Sequence, residues 1–228
     1  MQAKEFLSEV KENLLEHDLF LDPFIHTFSH IEEFDIAKAK KFAELYYPHI
    51  LRTRLYQANA LGICPDENIQ FVLSEILHDE YGLGDVKHSH MQQYRDFMIA
   101  LGITVKPAAE YRIIPELQLY ISTMEQLTRN GDWLAASAAV GIASEWPIPK
   151  YYGLLLKGLR KIPGIKEHDL KLFTGHVELD IEHSNMIEHA ILPYLDNNNN
   201  QQRLIEGIEL NMNARRVLHQ GLYREIFS

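Results

Sequence analysis

The chain predicts an all-α fold, a single helical bundle of seven or more helices. Three observations lead there. Apolar residues recur at helical spacing almost from end to end, strict period-two alternation with β-branched residues is nearly absent, and Gly, Pro and Asn punctuation cuts the pattern into helix-length segments. An amphipathic start covers residues 2–17. Asp22-Pro23 then opens a short helix through Phe24 and Phe28, proline being well tolerated in a first turn. Asp35 caps the next helix, which runs through Tyr46, Tyr47 and Leu55 towards Gly62 with a kink expected at Pro48. Cys64-Pro65-Asp66-Glu67 closes it and starts another that ends near Tyr81; Gly82-Leu83-Gly84-Asp85 interrupts, and a helix from about Lys87 carries on to Leu101-Gly102.

Two helices follow over residues 107–128 and 132–145, split by Asn130-Gly131, and the small residues of the second allow close helix approach. Trp146-Pro147-Ile148-Pro149 is expected to break or bend the chain, because two prolines remove two donors and bias their predecessors away from helix. A helix to about Lys161, the Pro163-Gly164 turn, a helix over 168–195, a polar loop at Asn197-Asn198-Asn199-Asn200 and a last helix over 202–227 complete the plan. Facing side chains inside such bundles are where metal and ligand sites are built.

Composition narrows the function. No segment of the 228 residues reads as a linker, so residues 1–228 are expected to form one domain. A net charge of −10 with acidic residues throughout leaves no basic patch to displace counterions from nucleic acid. The single Cys64 excludes an internal disulfide framework, and Met1-Gln2-Ala3-Lys4-Glu5 lacks a signal-peptide layout, so a reducing, cytoplasmic setting is expected. No apolar run approaches the roughly 20 residues that cross a bilayer, so no membrane partner is expected.

The most informative stretch is His176-Val177-Glu178-Leu179-Asp180-Ile181-Glu182-His183. At about 100° per residue, Asp180 and His183 fall roughly 40° and 20° either side of His176, so two imidazoles and a carboxylate share one helical face. Phe173 and Ile187 extend that stripe, which points it into an apolar interior. A second stretch runs from Asp79-Glu80-Tyr81-Gly82 to His88-Ser89-His90: a carboxylate ends one helix, a glycine turn redirects the chain, and a histidine returns on the next helix. Glu145, directly before a double-proline bend, is oddly placed for a solvated charge. Three carboxylates and three histidines resemble a dinuclear iron site, imidazole and carboxylate being ligands that suit iron or manganese. A polar stripe of hydrogen-bonded residues is the plainer alternative. Asp79 competes with Glu80, His88 competes with His90, and Glu145 could instead pair with Lys150. Tetrahedral zinc fits less well, since cysteine ligands are missing and carboxylates are many.

In order along the chain, Tyr46-Tyr47-Pro48-His49-Ile50, Asp79-Glu80-Tyr81-Gly82 with the later His90, Glu145-Trp146-Pro147-Ile148-Pro149 and His176-x-x-x-Asp180-x-x-His183 resemble the heme-oxygenase-like diiron oxidases, also called iron-containing redox enzymes. These share a fold with thiaminase II, pyrroloquinoline quinone synthase and the chlamydial death-domain-associating protein. The resemblance covers roughly residues 20–195 and is most specific in its last motif. It implies a heme-oxygenase-like bundle, with Glu80, His90, Glu145, His176, Asp180 and His183 as ligands of two Fe2+ ions, Mn as a possible substitute, and Glu145 as the natural bridge. It also implies a dioxygen-using oxidoreductase acting on a small organic molecule (amino acid, amine or fatty acid), an unidentified electron donor and a homodimer. His49 and His78 then read as residues that support the ligands, and Tyr46, Tyr47 and Tyr81 as core. The departures inform too. Thiaminase II needs a catalytic cysteine in the region where this chain carries Glu145. The para-aminobenzoate-forming branch uses a lysine where this chain carries Leu155, with Lys157 the nearest alternative. Quinone-synthase relatives work without metal. A metal-free helical module that binds a small molecule or another protein is the competing expectation.

Overall fold

The computed structural model describes residues 2–228, the side chains of 178–182 excepted. Among the described residues there is no strand, and the helices are α1 Ala3–Leu15, α2 Pro23–His30, α3 Ile36–Ile63, α4 Glu67–Glu80, α5 His90–Ala100, α6 Pro115–Asn130, α7 Trp133–Ser137, α8 Ala143–Glu145, α9 Ile148–Leu159, α10 Lys171–Ile191 and α11 Asn198–Phe227. The long α11 packs along α6 and against α7, α10 lies on α9 and α4, and α3 sits between α4 and α6. The interior of this arrangement is aromatic at one end, where Phe28 meets Phe42 with ring centroids 5.0 Å apart and Phe24 meets His219 at 5.1 Å.

Side chains expected to start helices do so. Asp22 accepts from Phe24 N, Asp35 from Ala37 N and Lys38 N, and Asp66 from Ile69 N, each satisfying donors that a helix leaves unpaired at its start. Three expectations need correction. The Asn197–Asn200 run is no loop: Asn197 caps α11 by accepting from Asn200 N, so the helix begins at Asn198. Trp146-Pro147 barely interrupts, both residues holding right-handed helical angles, because prolines near a helix start give up donors that have no partner there anyway. Residues 107–114 are a short 3-10 turn and extended chain, and α6 starts only at Pro115.

Two histidines are buried as neutral groups. His219 is fully enclosed, its Nε2 2.9 Å from the Tyr151 hydroxyl, and burial, with Arg215 and His49 adding to it, holds it well below its usual range. Burial, reinforced by Arg215 and opposed by Glu80, pushes His49 down to about 3. Unfolded, both titrate near 6.5, so below that pH the unfolded chain takes up protons that the folded chain refuses. Stability of the metal-free protein is therefore expected to fall as the pH drops below about 6.5, by about 1.4 kcal/mol per unit for His49 down to about 3, with His219 acting in the same sense. Urea midpoints at pH 7 and pH 5 check this. His219→Gln should show a shallower loss than the parent, and equal losses would contradict the assignment.

Candidate metal centre

The last turn of α4 carries Asp79 and Glu80, and the chain then reverses through Gly82, Leu83 and Gly84, all at positive φ (80°, 54° and 93°). Gly82 is required there twice over. Its φ disfavours a side chain, and a Cβ would collide with Asp85 O and lie 2.6 Å from Ser89 N. A 3-10 turn, Val86–His88, follows; Ser89 accepts from Gln92 N as the cap of α5, and His90 is thereby the first residue of that helix, facing back towards α4. Two helices and one tight turn thus bring residues ten apart in sequence into contact.

Glu80, His90 and His176 each offer a ligand atom, all within 4.8 Å of one another. His90 Nδ1 lies 3.1 Å from Glu80 Oε2, and His90 Nε2 lies 3.5 Å from Asp79 Oδ2. Yet neither His90 Nδ1 nor Asp79 Oδ2 has a hydrogen-bond partner: the atoms are near in space but not aligned as donor and acceptor. Buried polar atoms that converge without aligned hydrogen bonds are what a cation satisfies, taking the place of the His90 proton. His176 is prepared for that role. Its Nδ1 donates to the Leu172 carbonyl, which leaves the Nε2 lone pair free for the cavity, and burial, together with His90, pushes the ring down to about 3, so it stays neutral. Burial alone would raise Glu80, but His90, with His176 and Arg54, outweighs it and the carboxyl is lowered. The same partners work on His90 in reverse: burial lowers it, and Glu80 and Asp79 pull it above the usual range.

Glu145 and His183 form the other half, 3.7 Å apart across the interior. Burial raises the Glu145 carboxyl, with His183 opposing and Glu80 adding to the rise; burial lowers His183, and Glu145 more than reverses it. The α7 to α8 connection is a π turn, Ala138–Ile142, whose extra residue rotates α8 about its axis and so sets the direction of Glu145. α10 presses close on this turn, since a Cβ on Gly141 would lie 2.5 Å from Ile187 Cγ1. Asp180, the remaining expected ligand, lies outside the described side chains.

One cavity, with a volume of about 50 Å³, joins these groups: Glu80, His90, Glu145, His176 and His183 all line it, as does Asp79. His88 does not; its side chain is 76% exposed beside Asp85, which places His90 rather than His88 at the cluster. Lys150 is engaged elsewhere, donating to Leu15 O and lying over the Phe20 ring, so it is no partner of Glu145. Tyr46 and Tyr47 are core as expected, but Tyr81 is 43% exposed at the end of α4, because the turn carries it outward. Leu155 and Leu156 pack in the core away from the cavity, and Lys157 faces outward. Sequence reasoning missed Arg215 and Gln57, which also line the cavity and are 5% and 1% exposed. The signal was present: Arg215 sits at helical spacing from Leu218 and Leu222, inside an apolar stripe.

A family profile described as "Iron-containing redox enzyme" matches residues 40–216. The chain belongs to the iron-containing redox enzyme family. A 4-aminobenzoate synthase from Chlamydia pneumoniae is 25% identical to this chain over 166 residues, 73% of this chain and 72% of that protein. Among solved structures, a CADD-like protein of unknown function from Nostoc punctiforme superposes with a TM-score of 0.76 at 17% identity, covering 99% of this chain and 96% of its own. A domain of unknown function with a heme oxygenase-like fold from Shewanella denitrificans gives 0.75 at 15% identity (96% and 91%), and a TenA homolog from Pseudomonas syringae 0.68 at 12% (97% and 91%). The bundle is therefore a heme-oxygenase-like fold. No helix among the described residues is long and apolar enough to cross a membrane. The donor set of this chain, imidazoles and carboxylates that converge with unsatisfied polar atoms, fits the iron for which its family is named.

Proposed function

We propose that this family member is a non-heme diiron oxidase, in which Glu80, His90, Glu145, His176, Asp180 and His183 hold two ferrous ions and dioxygen oxidises a small organic substrate. The observation that carries the reading is the buried Glu80, His90 and His176 group, whose ligand atoms converge while His90 Nδ1 lacks a hydrogen bond. Bound iron supplies the one-electron chemistry that lets dioxygen react with an organic molecule. The chain's own contribution is geometry and charge. Carboxylates from α4, α8 and α10 offset the metal charge, and the hydrogen bond to Leu172 O holds the His176 proton on Nδ1. Val140, Ile148 and Leu172 line the cavity and keep bulk water from it.

The synthase activity named for the chlamydial relative fits these residues less well. The place of the lysine used in that branch is taken by the buried Leu155, and the nearby Lys157 faces outward. Oxidation of a separate substrate, with electrons from an external donor, is therefore the chemistry proposed for this chain. Oxygen uptake tests it: protein reconstituted anaerobically with Fe(II) should consume dioxygen in proportion to its bound iron, and uptake no faster than that of the same Fe(II) in buffer would remove the reading.

A further inference from the structure

The cavity has two chemically different ends. Asp79, Glu80 and Glu145 make one end acidic. At the other, Arg215 of α11 reaches the cavity with 5% exposure, and among the described residues it has no carboxylate within salt-bridge distance. A guanidinium is always charged, and an unpaired buried charge is costly, so such a group is kept for something it binds. Its polar neighbours among the described residues include no carboxylate: they are the hydroxyls of Tyr120, Tyr46 and Tyr151, and Ser144 Oγ at a long 3.5 Å from a terminal nitrogen. The serine hydroxyl is already used, donating to Ala139 O and accepting from Asn211 Nδ2, and the Arg215 Nε has no partner. The surrounding polar groups are also unsatisfied: His49 Nδ1, the Tyr56 hydroxyl and both amide atoms of Gln57 belong to residues lining the same cavity and lack hydrogen bonds. His49 stands between the two ends, since both Arg215 and Glu80 act on it, in opposite senses.

We propose that Arg215 anchors the carboxylate of the substrate, which makes the substrate a compact carboxylic acid held with its far end towards Glu80, His90 and His176. The direction towards the metal rests on the diiron oxidase reading; the recognition of a carboxylate does not. A planar guanidinium with free donors matches the two oxygens of a carboxylate, and the Gln57 amide and Tyr56 hydroxyl add further donors. In the metal-free protein a carboxylate at the opposite end would lie against Glu80 and Glu145, which leaves Arg215 as its anchor. An amine without a carboxylate leaves Arg215 unpaired and is excluded as a good substrate. A cavity of about 50 Å³ does not enclose an extended acyl chain.

The test uses butyrate and its uncharged counterpart butyramide on metal-free full-length protein, so that the acid cannot bind through iron. Affinity is read by calorimetry and by the shift of thermal unfolding, and Fe(II) stoichiometry is measured on the same proteins. Butyrate is expected to bind at least about tenfold more tightly than butyramide, a preference of the size given by a charge-assisted bidentate pair. Arg215→Gln should erase the preference while binding as much Fe(II) as the parent. Arg215→Lys, which keeps a cation in the cavity if the glutamine variant fails to fold, should weaken butyrate by about tenfold through loss of the planar fork. Equal binding of the two probes, no binding of either, or a preference that survives Arg215→Gln would overturn the proposal. A preference without specific iron would support carboxylate recognition and remove the oxidase reading; iron without preference would do the reverse.

Discussion

His176→Ala is expected to lose iron and dioxygen consumption together while keeping its helix content. The helix does not depend on the imidazole, because α10 is held by Phe173 and Ile187, both fully buried on the same stripe. The metal does depend on it. His176 is one of the three residues whose ligand atoms converge within 4.8 Å, and its tautomer is fixed by the bond to Leu172 O. Loss of groups that merely orient ligands costs about 10- to 100-fold in metal affinity, so loss of the ligand should cost more than about 100-fold. The metal-free variant should also be less sensitive to acid than the parent, since a ring pushed down to about 3 in the folded chain and titrating near 6.5 unfolded is destabilising at low pH. Iron content after anaerobic gel filtration, with far-ultraviolet circular dichroism on the same sample, checks both halves. Full iron retention would remove His176 from the ligand set. Asp180→Ala is expected to behave in the same way.

The second large effect belongs to a residue with no side chain. Gly82→Ala should both destabilise the protein and lower its iron affinity, because the turn it forms is what brings Glu80 and His90 to 3.1 Å. A Cβ there meets Asp85 O, His88 C at 2.7 Å and Ser89 N at 2.6 Å, all backbone atoms that cannot rotate away, in addition to the cost of a positive φ of 80°. Together these should amount to about 2–4 kcal/mol, with the start of α5 and His90 displaced. Gly84→Ala is the control. It also sits at positive φ (93°), but the nearest atom to its Cβ is His78 Nε2 at 4.0 Å, so it should lose only about 1–2 kcal/mol and keep its iron. Denaturation midpoints and iron content of the two variants, compared side by side, decide it. Equal iron content in both would mean that the turn does not set the site.

Much of this arrangement is legible in the residues. The caps Asp22, Asp35 and Asp66 announce their helices because a side-chain acceptor before an apolar period has one efficient use. The convergence of Glu80 with His90 could be foreseen because a glycine turn between a carboxylate and a histidine leaves few other geometries. Other features could not be read. The π turn at Ala138–Ile142 adds a residue to a helix that is apolar on every side, so no periodicity is disturbed and the rotation of Glu145 leaves no trace. Asn197 to Asn200 has the composition of a loop, and only the side-chain bond from Asn197 to Asn200 N reveals a helix start. Arg215 could have been found as a lone charge on the buried stripe of α11, but its reach into the cavity depends on how α11 crosses α8 and α3, which is tertiary packing.

An anaerobic Fe(II) titration of the metal-free protein, with bound iron counted per chain, is the most direct test of the central claim. Two tightly held ions per chain, falling away together on His176→Ala, are the result expected of Glu80, His90, Glu145, His176, Asp180 and His183 acting as one dinuclear site. No specific iron in a folded protein would contradict it, and the converging polar atoms of His90 and Asp79 would then belong to a polar cavity of some other use.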